Sequence, residues 1–291
     1  MLVIDVLITA ATLGGLYALV AMGLTLQFGV ARILNLAHGE FLVVAAFFSF
    51  ALVTNAGLHP MLALALAIPL GFGVQWAVYQ VLLAPLARRA ASNDVLVMDS
   101  ILVTFGLLFV VQGVVLAGFG GSYYSYSYLS IPLDVLGTKV AANRLLACGV
   151  ALAICLTLYF ALERSRWGTA MRAVAIAPQF AHLVGIDVRS MSALAFGLGG
   201  AMVAASGVLI STFLPISAAM GIAFTLKALV VTIMGGIGNL MGCLIAGLLL
   251  GLTETLVSRL VDPGLTLAST FAIFLLVLLL RPAGLFGKST R

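Results

Sequence analysis

Apolar residues run along this chain in long blocks, with polar residues gathered in short gaps and no alternation of the kind a half-buried strand shows. The blocks predict helices at about residues 6–28, 41–55, 61–83, 95–119, 145–162, 191–213, 222–234, 240–257 and 265–280. Residues 61–83, 101–116, 145–162 and 266–280 carry no charge over most or all of the about 20 residues that cross a bilayer. Leu, Ala, Val, Gly and Phe in no alternating order make helices, not barrel strands. The pattern therefore predicts an all-α polytopic membrane protein with 8 to 9 spans, two of them short. With no linker and no low-complexity segment, residues 1–291 read as a single transmembrane domain.

Composition agrees: 63% of residues are hydrophobic and 8% charged, against about 25% charged in soluble domains. The net charge of +5 does not point to nucleic acid, because the basic residues sit in the gaps between spans. Arg88 and Arg89 follow span three, Arg164, Arg166, Arg172 and Arg189 follow span five, and Arg281, Lys288 and Arg291 follow span nine. All follow odd-numbered spans, which predicts a cytoplasmic C-terminus and an outside N-terminus. Of the opposite gaps, 55–60 and 214–221 hold no Lys or Arg, while 120–143 holds Lys139 and the stretch around Asp262 holds Arg259. Residues 1–9 lack a basic residue before their apolar run and include Asp5, so they do not read as a cleaved signal. Cys148, Cys155 and Cys243 lie in apolar runs without metal-ligand spacing, which argues against metal and disulfide roles.

The most water-compatible stretch is 164–186. Residues 169–177 contain no glycine or proline and predict about two and a half helical turns. Pro178 interrupts them and fits the first turn of a second short helix over 179–184, which Gly185 is placed to end in a left-handed cap. Two short helices on the cytoplasmic surface follow, within a loop of about 163–189. Across the membrane, Tyr123, Tyr124, Tyr126 and Tyr128 read either as headgroup anchors or as a docking surface for an extracellular protein.

Inside the apolar blocks, residues 30–41 pack Arg32, Asn35, His38 and Glu40 between Gly29 and Gly39. Such polar density near lipid is either an interfacial loop with a helix cap or a broken helix exposing backbone near a transport path. Asn35, His38, Gly39, Glu40 and Lys227 are the pathway candidates; Lys227 either snorkels outward or attracts a carboxylate. Asp99, Gln112 and Glu254 are weaker candidates of the same kind. Gly199, Gly200, Gly235, Gly236, Gly238, Gly242, Gly247 and Gly251 read as helix-packing positions, with hinges as the alternative.

The ending Phe286-Gly287-Lys288-Ser289-Thr290 lacks the first glycine and the following helix of a phosphate loop, so no ATP site is read here. Nucleophile elbows, paired carboxylates and zinc helix motifs are missing from the sequence as well, which leaves an enzyme, a catalytic residue or a bound cofactor without support.

Five stretches carry a family resemblance: Gly15-Leu16-Tyr17-Ala18-Leu19; Leu34-Asn35-Leu36-Ala37-His38-Gly39-Glu40-Phe41; Arg172-Ala173-Val174-Ala175 with Pro178, Ala181, Gly185 and Ile186; Gly235-Gly236-Ile237-Gly238; and Arg281-Pro282-Ala283-Gly284-Leu285-Phe286-Gly287. In order and spacing they resemble the membrane permeases of branched-chain amino acid ABC importers, nearest the shorter, H-type subunit. The resemblance implies a bacterial inner-membrane importer for branched-chain or related hydrophobic amino acids. Its implied partners are a second permease of the same family, two cytoplasmic ATP-binding subunits and a periplasmic substrate-binding protein. It also implies that Gly168, Arg172, Ala173, Ala175, Pro178, Ala181, Gly185 and Ile186 couple to the ATPases through a short docking helix. One departure stands out: Ile176 and Ala177 replace the acidic or amide pair usual before the proline, so docking here would rest on shape and apolar contact. Some branches of the family carry urea, amides or aromatic acids. The rivals from other classes are an ion-coupled secondary transporter using Glu40, Asp99, Lys227 and Glu254 as a charge relay, and a membrane-embedded enzyme or scaffold.

Overall fold

The computed structural model describes residues 2–135 and 138–287; Met1, Lys288, Ser289, Thr290 and Arg291 lie outside the described residues. The protein is an all-α polytopic membrane protein. Among the described residues eight helices are long and apolar enough to cross a membrane, and a ninth apolar helix is shorter. In chain order these are α1 (Leu2–Ala31), α2 (His38–Ala56), α3 (Pro60–Val78) continuing into α4 (Ala84–Arg89), α5 (Asn93–Phe119), α6 (Ala142–Arg164), α9 (Val188–Ser211), the short α10 (Gly221–Gly235), α11 (Leu240–Leu260) and α12 (Thr266–Leu280). Two surface helices, α7 (Arg166–Ile176) and α8 (Pro178–Ala181), separate α6 from α9. A small antiparallel hairpin, β1 (Pro132–Val135) with β2 (Thr138–Ala141), is a feature the sequence pattern did not suggest, since strands this short carry no readable period.

Helix ends follow local chemistry. His59, Ser92, Ser165, Asp187 and Asn239 each accept a backbone N–H at the start of α3, α5, α7, α9 and α11. Between α3 and α4 a single π turn, Tyr79–Leu83, precedes Pro85. A proline cannot donate to the carbonyl four residues back, and a widened turn absorbs the defect.

The core sits along α1 and α9. The central stretches of these two helices are 72% and 83% buried, against 17% for α5 and 11% for α12, so α1 and α9 form the axis and the others a ring. Phe47, Phe196, Leu16, Leu19, Met22 and Leu209 are the large side chains closed off within it. The ring turns Leu66, Leu70, Phe105, Phe109, Val114, Leu275 and Leu279 outward, as lipid contact requires.

The two ends of the bundle differ in charge. One end gathers Arg32, Asp94, Glu163, Arg172, Asn239 and Phe286 around a single cavity, and Arg189 reaches Gln80 close to Arg88 and Arg89. At the other end Tyr128 bonds His59, residue 124 pairs with Ile216, and Asp5 bridges Arg259 at 2.9 Å.

Candidate functional site

α1 does not pass into α2 by a surface loop. Arg32, at φ 55, turns the chain, and residues 32–37 run back into the bundle without helical structure, ending in a turn at residues 36–37. His38 then lies with Nε2 3.1 Å from the Val20 carbonyl, about 16 Å inside the end of α1 by helical rise. Backbone groups exposed at that depth need partners, and side chains of neighbouring helices supply them. Ser100 Oγ accepts from the Leu34 N–H, and Thr104 Oγ1 accepts from the Leu36 N–H at 3.1 Å, with its own proton between the Ser100 carbonyl at 2.7 Å and the Leu34 carbonyl at 3.0 Å. Asn35 folds its own Oδ1 onto the Ala37 N–H and donates to Gln27 at 3.1 Å and Gln75 at 3.4 Å.

A second helix starts inside the bundle. After α9 the chain is non-helical over residues 212–220, and α10 begins at Gly221 directly against Gly39. Thr225 clasps the two starts together, accepting the Gly39 N–H at 2.9 Å, with its own proton between the Gly221 carbonyl at 3.2 Å and the Leu36 carbonyl at 3.3 Å. Neither glycine has room for a side chain: a Cβ on Gly39 would lie 2.8 Å from the Thr225 nitrogen, and one on Gly221 would lie 2.6 Å from Glu40 Oε2. Glu40 is fully buried there, and among the described residues neither carboxylate oxygen has a hydrogen-bond partner; His38 Nδ1 is likewise unpaired among them.

Asn35, His38, Gly39 and Glu40 thus come together at the meeting point of two interrupted helices. Lys227 does not join them. Its ammonium reaches Glu254 Oε2 at 2.9 Å and the Tyr17 hydroxyl at 2.8 Å, and lies 4.6 Å from the centre of the Tyr17 ring. Tyr17 donates to the same Glu254 oxygen at 2.8 Å, and Thr270 donates to Oε1 at 2.6 Å. Four helices, α1, α10, α11 and α12, meet in this network. Lys227 neither snorkels outward nor stands alone, because Glu254 one helix later sits on the same level. Asp99 and Gln112 are half-buried on α5 and take no part in either cluster. Sequence reading missed Gln27, Gln75, Thr225 and Thr270. Lone amides in apolar spans were a signal for Gln27 and Gln75; a threonine in a span gives none.

At the basic end, α7 starts at Arg166, three residues before the predicted start, because Ser165 caps it by accepting from the Gly168 N–H at 3.0 Å. Gly168 is buried, and a Cβ there would collide with the Leu162 backbone. Arg172 caps the end of α6, donating to the Leu162 carbonyl at 2.9 Å and the Glu163 carbonyl at 3.3 Å. Met171, Val174 and Ala181 pack with Leu26, Leu162 and Ala195, so α7 and α8 rest on α1, α6 and α9. Pro178 opens α8, Gly185 closes the following turn at φ 75, and Ile186 is half-buried, while Ala173 and Ala175 are partly exposed on α7. Ile176, Phe180, Leu183 and Val184 stand out, between 66% and 82% exposed. The Ser190 hydroxyl, 2.6 Å away, and the Arg189 and Ser190 amides hold the Asp187 carboxyl below the usual carboxylate range. Beside this loop a cavity of about 780 Å³ is lined by Arg32, Asp94, Tyr159, Glu163, Arg172 and Asn239.

The glycines divide by place. Gly199 faces Gly23 and Gln27, Gly200 faces Gly71 and Gln75, Gly235 faces Gly242, and Gly247 and Gly251 face Ala18, Ala10 and Gly14. Gly236 (φ 97) and Gly238 (φ 82) instead shape the turn between α10 and α11, where the Gly236 backbone meets Gly287. The tail folds back there, with Leu285 N–H on the Met234 carbonyl at 2.7 Å. Among the described residues no three His, Cys, Asp or Glu side chains come together as a metal ion would need. On the opposite face Tyr126 bonds Ser49 and Ser211, Tyr124 and Tyr128 are also tied internally, and Tyr123 is exposed.

Comparison with known proteins decides the family. The profile of the branched-chain amino acid transport system / permease component family matches residues 6–280. The chain belongs to this family. It is 28% identical to the high-affinity branched-chain amino acid transport system permease protein LivH of Salmonella typhimurium, over 95% of this chain and 93% of that one. It is 26% identical to BraD of Pseudomonas aeruginosa, over 97% and 95% of the two chains, and 26% identical to a probable LivH of Methanocaldococcus jannaschii, over 84% and 77%. A solved structure, PsaBC from Streptococcus pneumoniae in complex with Fab, aligns over 97% of this permease and 92% of its own chain, with 14% identity and a TM-score of 0.49.

Proposed function

We propose that this permease is the membrane-spanning subunit of an ATP-driven importer for branched-chain or related hydrophobic amino acids, and forms half of its translocation path. Its partners are a second permease of the family, two cytoplasmic ATP-binding subunits and a periplasmic binding protein. It lies in a bacterial inner membrane with its N-terminus outside and the 163–189 loop and C-terminus in the cytoplasm.

The observation that carries this reading, beside family membership, is the α7–α8 pair. It sits at the arginine-rich end, the side the positive-inside rule assigns to the cytoplasm. It also presents Ile176, Phe180, Leu183 and Val184 to water, and an exposed apolar cluster on a charged surface marks a protein contact. The apolar character matches the Ile176–Ala177 departure: a partner groove here takes the helix by shape. Because α7 packs on α1, α6 and α9, a push on the loop reaches the axis of the bundle. The permease itself contributes two packed arrangements and a lever.

The test is purification of the complex and reconstitution with its binding protein. ATP-binding subunits copurify, leucine enters vesicles only with ATP inside the ATPase compartment, and Phe180→Asp or Ala173→Glu uncouples hydrolysis from uptake. Uptake driven by a proton gradient without ATPase subunits would instead establish the secondary transporter. Transport of urea, an amide or an aromatic acid in place of leucine would reassign the substrate.

A further inference from the structure

Two complementary deficits meet where α2 and α10 begin. Glu40 is fully buried, its two carboxylate oxygens accept no hydrogen bond, and among the described residues it has no ion-pair partner. Against it stands the start of α10, a 15-residue helix whose N-cap, Met220, offers no side-chain cap. The first-turn N–H groups of Gly221, Ile222 and Ala223 have no acceptor among the described residues. Acceptors without donors lie beside donors without acceptors. The carboxyl is nonetheless packed on the Gly221 backbone and not turned toward those amides. An unpaired charge at this depth costs several kcal/mol, which a ligand bringing the complementary charges would recover.

We infer that Glu40 and the N-terminus of α10 together form the seat for the charged head of a zwitterionic α-amino acid. The Glu40 carboxylate takes the α-ammonium, and the first-turn amides of α10 take the α-carboxylate. A helix N-terminus carries about half a positive charge and aims unpaired N–H groups outward, which suits a carboxylate. Interrupted helices whose N-termini face a substrate anion are a recurrent solution in transporters. In the present arrangement the seat is shut, with Gly39 and Gly221 in backbone contact and Thr225 bridging the two helix starts. Phe41 and Phe224 flank that joint in one apolar cluster, and Val43, Phe47 and Met220 in another, so α2 must slide or tilt on α10 to open it and let the zwitterion enter between them. Substrates without both charges gain nothing from such a seat.

The inference rests on the amino acid importer reading, and the experiment separates the two. The complete complex, with its binding protein, is reconstituted in proteoliposomes and given radiolabelled leucine. Glu40→Gln keeps the shape and removes only the charge; leucine uptake falls at least about tenfold, the worth of one lost charged contact. Binding-protein-stimulated ATP hydrolysis continues, which a merely structural defect would not allow. Glu40→Asp restores part of the uptake. Wild-type uptake in Glu40→Gln overturns the inference and leaves the importer standing, as does parallel loss of hydrolysis and uptake. A wild-type complex that imports no leucine overturns both.

Discussion

The Lys227–Glu254 pair offers the sharpest test of what holds the short helix α10 in place. Glu254 accepts three hydrogen bonds, from Lys227, Tyr17 and Thr270, and is 4% exposed; the Lys227 side chain is 19% exposed. Glu254→Leu strands a largely buried ammonium and the Tyr17 hydroxyl, while Thr270 keeps the Thr266 carbonyl at 3.1 Å. A broken buried pair costs about 3–5 kcal/mol, most of it the desolvated charge left behind. Lys227→Met leaves Glu254 with two hydroxyl donors, so its cost is smaller, about 2–3 kcal/mol. The double variant Lys227→Met/Glu254→Leu removes both charges and fills their volume with apolar atoms, and recovers to within about 1–2 kcal/mol of the parent. The assay is equilibrium or thermal unfolding of the purified permease in detergent, read as a double-mutant cycle. A double variant as unstable as the sum of the two single ones would show that the groups act independently, and the reasoning would fail.

Further outcomes follow from the same packing. Thr104→Val keeps the shape but strands the Leu36 N–H within the bundle, lowering stability by about 1–3 kcal/mol in the same unfolding assay. Gly247→Val, whose Cβ would lie 2.7 Å from the Ala18 backbone nitrogen, drives α1 from α11 and abolishes the folded permease on gel filtration; Gly149→Ala, in open space on α6, is neutral or stabilising by up to about 1 kcal/mol. A cysteine at Leu183 or Gln179 in intact cells reacts only with membrane-permeant reagent, whereas one at His59 reacts from outside; the reverse pattern would invert the orientation. Arg172→Ala frees the α6 end carbonyls and increases proteolysis between α6 and α7.

The spans were legible because a bilayer imposes length and composition on every one of them: each predicted block lies on a helix, with ends shifted by a few residues where Ser92, Ser165 or Asp187 supplies a cap. Of the two short blocks, 222–234 was informative, since α10 is short because it starts inside the bundle, whereas α2 has 19 residues and is long enough to cross. Hidden were the pairings. Lys227 and Glu254 are 27 residues apart, and Tyr17 and Glu254 are 237 apart. No period in one helix reports which level of another helix it will meet. The polar residues around Asn35 gave away the break in the chain, yet its partners Ser100 and Thr104 look like ordinary small residues of a span.

These placements bear on how a loop at one end can govern a seat in the middle. Met171 and Val174 of α7 contact the α1 and α9 axis near Leu26 and Ala195. Farther along those helices, Gly23 and Gly199 are in backbone contact, and a Cβ on Gly23 would also lie 3.2 Å from His38 Nε2. The first step is side-chain packing and the second is backbone against backbone, which gives a shift of α7 a continuous path of contacts to His38. α10 is restrained differently along its length: its end is fastened to the tail through Leu285, its middle to α1, α11 and α12 through Lys227, and its start to α2 through the Thr225 hydroxyl and apolar packing. Thr225 is the polar tie at the joint between Gly39 and Gly221, and Thr225→Val, which removes that tie without adding bulk, raises ATP hydrolysis in the absence of binding protein. Unchanged basal hydrolysis in that variant would show that the loop and the helix starts move independently.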